Sequence, residues 1–419
     1  MLNKFLTKNI QYNILSLINV FIGFLFIVLL GRKFGAGLET DVYFYSIVVI
    51  VYLGHIAHSV WEAMSPYYIE LKVDDEIKSY KLYSMLLNNL IIISIFIIMF
   101  YFLCTSFFEI LSPEKKIFLD VFIFYLLLQN IILINKTILN LEHYYASIYL
   151  VDIFLNLTLL LTILFFDDIK IISIAYVTIF SSVLILLFQF YILLFKLNIK
   201  WQMLLYDTSL NVIYKNSIKL KVGSLLYGSK DIMIASILTS YGTGFFTLYS
   251  YANKFLGVII QVVNAPIVNI FTTKANYNVA KKQNAIIKND LKIVLIQTLS
   301  LFIFSSLFTY FLLPVLLNYV FGDKFTKEDI DTIVSIFSIL VLFFFIWTIQ
   351  SPYGRLLAIF KMFNEGVKSN ILFFIIVFLA YIIFVFIPYN YQYFLFVLIV
   401  AQSVQFIYIY IKLKFLVKV

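Results

Sequence analysis

Long apolar runs separated by short polar connections fill the chain from end to end. Windows of about 20 residues with almost no charge recur throughout, which is the length a helix needs to cross a hydrocarbon layer. The pattern predicts twelve spans, at about 9–30, 42–64, 83–108, 117–139, 146–166, 171–195, 215–240, 245–273, 291–318, 332–358, 369–387 and 391–411. The longest outward connection lies near 318–331 and the main inward ones at 65–82, 197–214 and 274–290, so no loop has room for a soluble domain. The first apolar run is too long for a signal-peptide core and lacks a small-x-small exit, so it is expected to remain as the first span.

Composition agrees with this pattern. Hydrophobic residues make up 63% of the chain and charged residues 13%, against roughly half and about a quarter in a soluble protein. The expected fold class is therefore all-α integral membrane. Cys104 stands alone, which excludes a disulfide framework and a thiolate metal site.

A net charge of +9 could suggest nucleic acid, but the distribution of the charges excludes that partner. With the N-terminus inside, twenty-one lysines and arginines fall on the inward side, seven fall outward and three lie within spans. The acids show no inward bias. This is the positive-inside rule with both termini cytoplasmic, and the basic loops read as contact with anionic membrane lipid.

Phe34-Gly-Ala-Gly-Leu-Glu-Thr40 nearly recurs as Tyr241-Gly-Thr-Gly-Phe-Phe-Thr247, 207 positions later. Gly35 and Gly37 in one copy, and Gly242 and Gly244 in the other, let the backbone reverse between helices, because glycine accepts φ > 0 without steric cost. Convergence on a common hairpin turn is one explanation. The shared aromatic, the shared threonine and the half-chain spacing favour another, two related halves of residues 1–200 and 201–419. Six spans per half give both halves one orientation, a parallel pseudo-repeat of two six-helix bundles around a central cavity, as in many transporters.

The three cations within spans are Lys136, Lys230 and Lys254. A charge at the bilayer centre costs roughly 2.5–3.5 kcal/mol, so such groups face a cavity or a partner. Lys254 lies ten residues past Gly244, about 15 Å into the membrane at 1.5 Å per residue; it is either a fixed cation attracting phosphate or half of a structural pair. Lys230 and Asp231 are adjacent and diverge by about 100° on a helix, so they are not expected simply to bond each other; at least one should face a cavity or another helix. Lys136 either faces a cavity or snorkels inward, with Asp152 as a partner. His55, His58 and Glu62 share one face of the second span, a spacing compatible with proton transfer or a weak metal site. With no further strong ligand in sight, a polar face lining the cavity fits better, and neither metal nor cofactor is expected. The chain has no Gly-x-Ser-x-Gly, P-loop, His-Glu-x-x-His or dinucleotide fingerprint, so it does not read as an enzyme.

Leu30-Gly-Arg-Lys-Phe-Gly-Ala-Gly-Leu-Glu-Thr-Asp-Val-Tyr-Phe44 resembles the first hairpin of the MviN/MurJ lipid II flippases. Tyr249-Ser-Tyr-Ala-Asn-Lys-Phe255 resembles that family's Tyr-Tyr-Ala-Asp-Arg segment, and Phe321-Gly-Asp-Lys-Phe-Thr326 a later outward loop. The wider group is the multidrug/oligosaccharidyl-lipid/polysaccharide (MOP) exporter superfamily, with its Wzx polysaccharide flippases and MATE exporters. MurJ-like proteins are expected to have fourteen spans and several cavity arginines. Here Phe26 and Leu53-Gly54-His55 stand where arginines would be, and Lys254 beside Asn253 replaces an acid–arginine pair. These departures are closer to the Wzx pattern.

The resemblance implies translocation of an undecaprenyl-pyrophosphate-linked saccharide, such as an O-antigen or capsule repeat unit, from the cytoplasmic to the outer leaflet of the bacterial inner membrane. Lys254, Lys230 and Lys136 would hold the pyrophosphate, with polysaccharide polymerase machinery as a further partner. Two other readings stay open, a MurJ-like lipid II flippase and a MATE-like small-molecule exporter using Asp152, Asp231 or Glu62 as its acid. The predicted topology has a direct test in a Cys104→Ser background. Lys324→Cys should react with a membrane-impermeant maleimide in intact cells, and Lys200→Cys only after permeabilisation; the reverse pattern would invert the assignment.

Overall fold

The computed structural model describes residues 2–107, 111–142, 144–207, 210–280, 283–360, 362–387 and 390–417, with the side chains of 2–14, 16, 55–67, 69–70, 73–74, 145, 210–220, 265–266, 269, 273, 276–277, 279–280, 284–285, 323 and 415–417 outside the described set. Helix is the form that the sequence's environment demands. Hydrocarbon offers no partner to a backbone N–H or C=O, so each spanning segment must satisfy its own. The chain forms α1 (Leu2–Phe34), α2 (Leu38–Asp74), α3 (Glu76–Phe107), α4 (Pro113–Phe122), α5 (Phe124–Leu141), α6 (Tyr145–Phe165) and α7 (Ile171–Tyr191). It continues with α8 (Leu210–Thr239), α9 (Phe245–Ala280), α10 (Asn284–Phe321), α11 (Lys327–Ile359), α12 (Phe363–Phe386) and α13 (Tyr391–Val417).

Helices α4 and α5 form one span, because Ile123 between them keeps helical dihedrals and its N–H bonds Leu119 O at 2.8 Å. The twelve-span, all-helical reading of the sequence therefore stands. Among the described residues nine stretches are long and apolar enough to cross a membrane. The remaining long helices, α2, α8 and α9, carry His55, His58 and Glu62, Lys230 and Asp231, and Lys254 respectively, whereas Lys136 and Asp152 lie on α5 and α6.

The chain divides into two compact units, Met1–Lys33 with Val42–Lys221, and Phe34–Asp41 with Val222–Val419. In the first unit α7 packs on α4, α5 and α6, and α3 on α5. Its core gathers Tyr83, Leu86, Leu90, Ile134 and Ile138, all buried. In the second unit α11 packs on α9, α10, α12 and α13, around Phe271, Ile287, Leu291 and Leu356.

The Phe34–Asp41 turn belongs to the second unit, and its polar groups explain why. The Asp41 carboxylate, 3% exposed, accepts from Gly244 N at 2.6 Å, Thr247 N at 2.7 Å and the Thr247 hydroxyl at 2.7 Å. It thereby caps α9, whose first N–H groups have no intrahelical partner and whose dipole favours an anion there. Three of the four turn glycines adopt the left-handed region: Gly35 at φ 68°, Gly242 at 132° and Gly244 at 88°. Gly37 lies in the same turn, between α1 and α2, without a positive φ. Gly244 is needed for closeness as well, since a Cβ there would lie 2.4 Å from Ala36 O.

Replacing Asp41 with alanine leaves two buried amides without an acceptor. Asp41→Ala should destabilise the protein by about 2 kcal/mol, read as a lower melting midpoint in detergent, with Asp41→Asn in between. A midpoint unchanged in Asp41→Ala would remove this cap from the account.

Candidate functional site

Helices α8, α9 and α11 bring polar and aromatic residues to one cavity of about 270 Å³ in the second unit. From α8 come Tyr227, Lys230 and Asp231, from α9 Tyr249 and Asn253, and from α11 Phe343, Phe344 and Trp347. The α8 residues follow helical spacing: Tyr227, Lys230 and Ile234 fall at i, i+3 and i+7 and share one face. Lys230 lies nine residues before the end of α8 at Thr239, roughly 14 Å into the span.

Lys230 Nζ sits 3.2 Å from Asp231 Oδ2 and 4.3 Å from the centroid of the Tyr227 ring. The expectation that these neighbours would not bond each other is wrong. The lysine's four-carbon stem spans the 100° between them, while Tyr227 supplies a second, π-type contact for the ammonium. The expectation that at least one would face a cavity holds for both, since each lines it. The ammonium is enclosed, its side chain 14% exposed, and the carboxylate is open at 43%.

A chain of hydrogen bonds fixes Tyr227. Its hydroxyl donates to Gln402 Oε1 at 3.2 Å, and Gln402 Nε2 donates to Gln350 Oε1 at 2.7 Å. Both glutamines are buried, so the polar chain is sheltered from competing solvent. The Tyr227 ring also packs against Phe373, with centroids 4.8 Å apart.

The other sequence candidates lie apart from this cavity. Lys136 on α5 forms an ion pair with Asp152 on α6 in the first unit, the pairing alternative among those considered for it. Lys254 follows Asn253 on α9, yet the helical turn carries it off the cavity wall; it is exposed and has no ion-pair partner among the described residues. The side chains of His55, His58 and Glu62 lie outside the described residues.

Sequence reasoning missed the aromatic wall, because most tyrosines and phenylalanines of a membrane protein face lipid. The available signal was Tyr227 three residues before Lys230, on the same helix face. Asp41 was missed too. Its signal was asymmetry between the two turn copies, since the acid after Thr40 has Leu248 as its counterpart after Thr247.

No protein-family model and no curated protein matches the chain. Solved structures do match. The lipid II flippase MurJ in an inward closed conformation aligns with TM-score 0.77 at 19% identity, covering 97% of this chain and 87% of that one. An inward-facing multidrug resistance MATE family transporter of the MOP superfamily aligns at 0.75 and 12% identity, covering 96% of each. A MOP superfamily transporter from Pyrococcus furiosus aligns at 0.71 and 14% identity, covering 98% of this chain and 95% of that one. The chain shares the fold of these MurJ and MATE transporter structures.

Proposed function

We propose that this protein is a flippase that moves an undecaprenyl-pyrophosphate-linked oligosaccharide, of the O-antigen or capsule repeat-unit type, from the cytoplasmic to the outer leaflet by alternating access. Its place would be the bacterial inner membrane, with both termini cytoplasmic. The observation that carries this reading is Lys254. Of the three cations within spans, two are held in ion pairs and Lys254 is exposed without one among the described residues. An unneutralised cation deep in a span is costly unless it meets an anion during the protein's work.

A pyrophosphate supplies that anion. Lysine meets it as a point charge, without the bidentate geometry of arginine. Carrying the polar headgroup through bare hydrocarbon would cost several kcal/mol for each polar group left unbonded, which a protein-lined path removes. A membrane potential negative inside favours outward movement of an anion by about 2.3 kcal/mol per charge per 100 mV. The likeness to a lipid II flippase supports a lipid-linked cargo, and lipid II itself is the alternative saccharide.

The test is leaflet accessibility of a labelled undecaprenyl-pyrophosphate saccharide in proteoliposomes. The wild type should move it, Lys254→Ala should be slower by about tenfold, the loss of one charge-assisted contact, and Lys254→Arg should keep most of the rate. Movement equal in Lys254→Ala would remove that residue as the phosphate anchor. No movement of any verified saccharide, with efflux of small organic cations instead, would replace this reading by the exporter.

A further inference from the structure

We propose that the α8–α9–α11 cavity of the second unit is a subsite for one pyranose ring of the cargo; this rests on the flippase reading above. Its wall combines the two features that sugar recognition requires. One face of a pyranose presents C–H bonds that pack on the negative faces of aromatic rings, and here Tyr249, Phe343, Phe344 and Trp347 supply such surfaces. The ring's edge carries hydroxyls, which both donate and accept, and the cavity offers both kinds of partner. Asp231 Oδ1 accepts only, the Trp347 indole N–H donates only, and Tyr249 and Asn253 do both. None of these four groups has a partner among the described residues.

Three other occupants fit less well. An organic cation would compete with Lys230, whose ammonium already lies over Tyr227, and would meet a pair with no net charge. A phosphate would meet the open carboxylate of Asp231 rather than the enclosed ammonium of Lys230. A lipid tail would strip water from a carboxylate, an amide and an indole N–H without replacing their hydrogen bonds. Size narrows the choice to a single ring, because about 270 Å³ lies at the lower edge of small-ligand pockets, which run to about 1,000 Å³.

The experiment uses full-length protein in phosphatidylethanolamine–phosphatidylglycerol nanodiscs, so that no sugar-headed detergent competes. Trp61→Phe and Trp201→Phe leave Trp347 as the sole indole emitter. The titrants are methyl glycosides of hexoses, 6-deoxyhexoses, N-acetylhexosamines and hexuronates, with sorbitol as a polyol lacking a ring face and tetraphenylphosphonium as an aromatic cation. At least one glycoside should change Trp347 emission saturably and sorbitol should not. Asp231→Asn should weaken that response by about tenfold, the loss of one hydrogen bond to a charged acceptor. Tyr249→Phe, which removes only a hydroxyl, tests the same prediction if Asp231→Asn does not fold.

The subsite is overturned by emission indifferent to every glycoside, by equal responses to sorbitol, by folded variants that respond like the parent, or by saturation with tetraphenylphosphonium alone. Because the titration involves neither polyprenyl lipid nor transport, the two proposals fail separately. Glycoside binding without leaflet transfer refutes the flippase reading, and transfer without a glycoside response refutes the subsite.

Discussion

A charged group in hydrocarbon has nothing to bond except other parts of the protein, and this constraint organises both units. It requires helices, because only they satisfy a spanning backbone from within. It also explains the polar residues that interrupt the apolar runs. Asp41 survives burial because three donors at the start of α9 close on it. Lys136 survives beside Asp152, and Lys230 survives between Asp231 and the face of Tyr227.

Against that background the exceptions are informative. Lys254 and the open side of Asp231 are polar groups within spans that the described residues do not fully satisfy. In a structural protein they would cost stability without return. In a carrier they are where cargo would make its bonds, a cation for the anionic part and an acceptor with aromatic walls for the sugar. The two positions are adjacent on neither helix nor cavity wall, which suits a cargo whose phosphate and sugars are chemically distinct.

Much of the architecture was legible in the sequence, because hydropathy acts over 20-residue windows and averages out local detail. The twelve spans and the paired Gly-x-Gly turns both come from such coarse or repeated signals. What the sequence left open depends on side-chain reach. Helical geometry alone separates Lys230 from Asp231 by 100°, but a flexible stem recovers the distance. The same geometry does not distinguish Lys254 from its neighbour at the α8–α9–α11 cavity, where Asn253 is the one that lines the wall. Gly37 resembles Gly244 in the repeat, yet only Gly244 has positive φ and a neighbouring carbonyl too close for a side chain. The aromatic wall was hidden among 46 phenylalanines and 31 tyrosines, where no local pattern distinguishes cavity from lipid.

The claim on which the rest turns is that the cargo is an anionic, sugar-bearing polyprenyl lipid. Native mass spectrometry of the protein purified from a glycan-producing bacterium tests it most directly, by reading which lipids remain bound. The account predicts retained polyprenyl-pyrophosphate saccharide, enriched over bulk membrane lipid and depleted in Lys254→Ala. Bound bulk phospholipid alone, identical in the wild type and the variant, would contradict it.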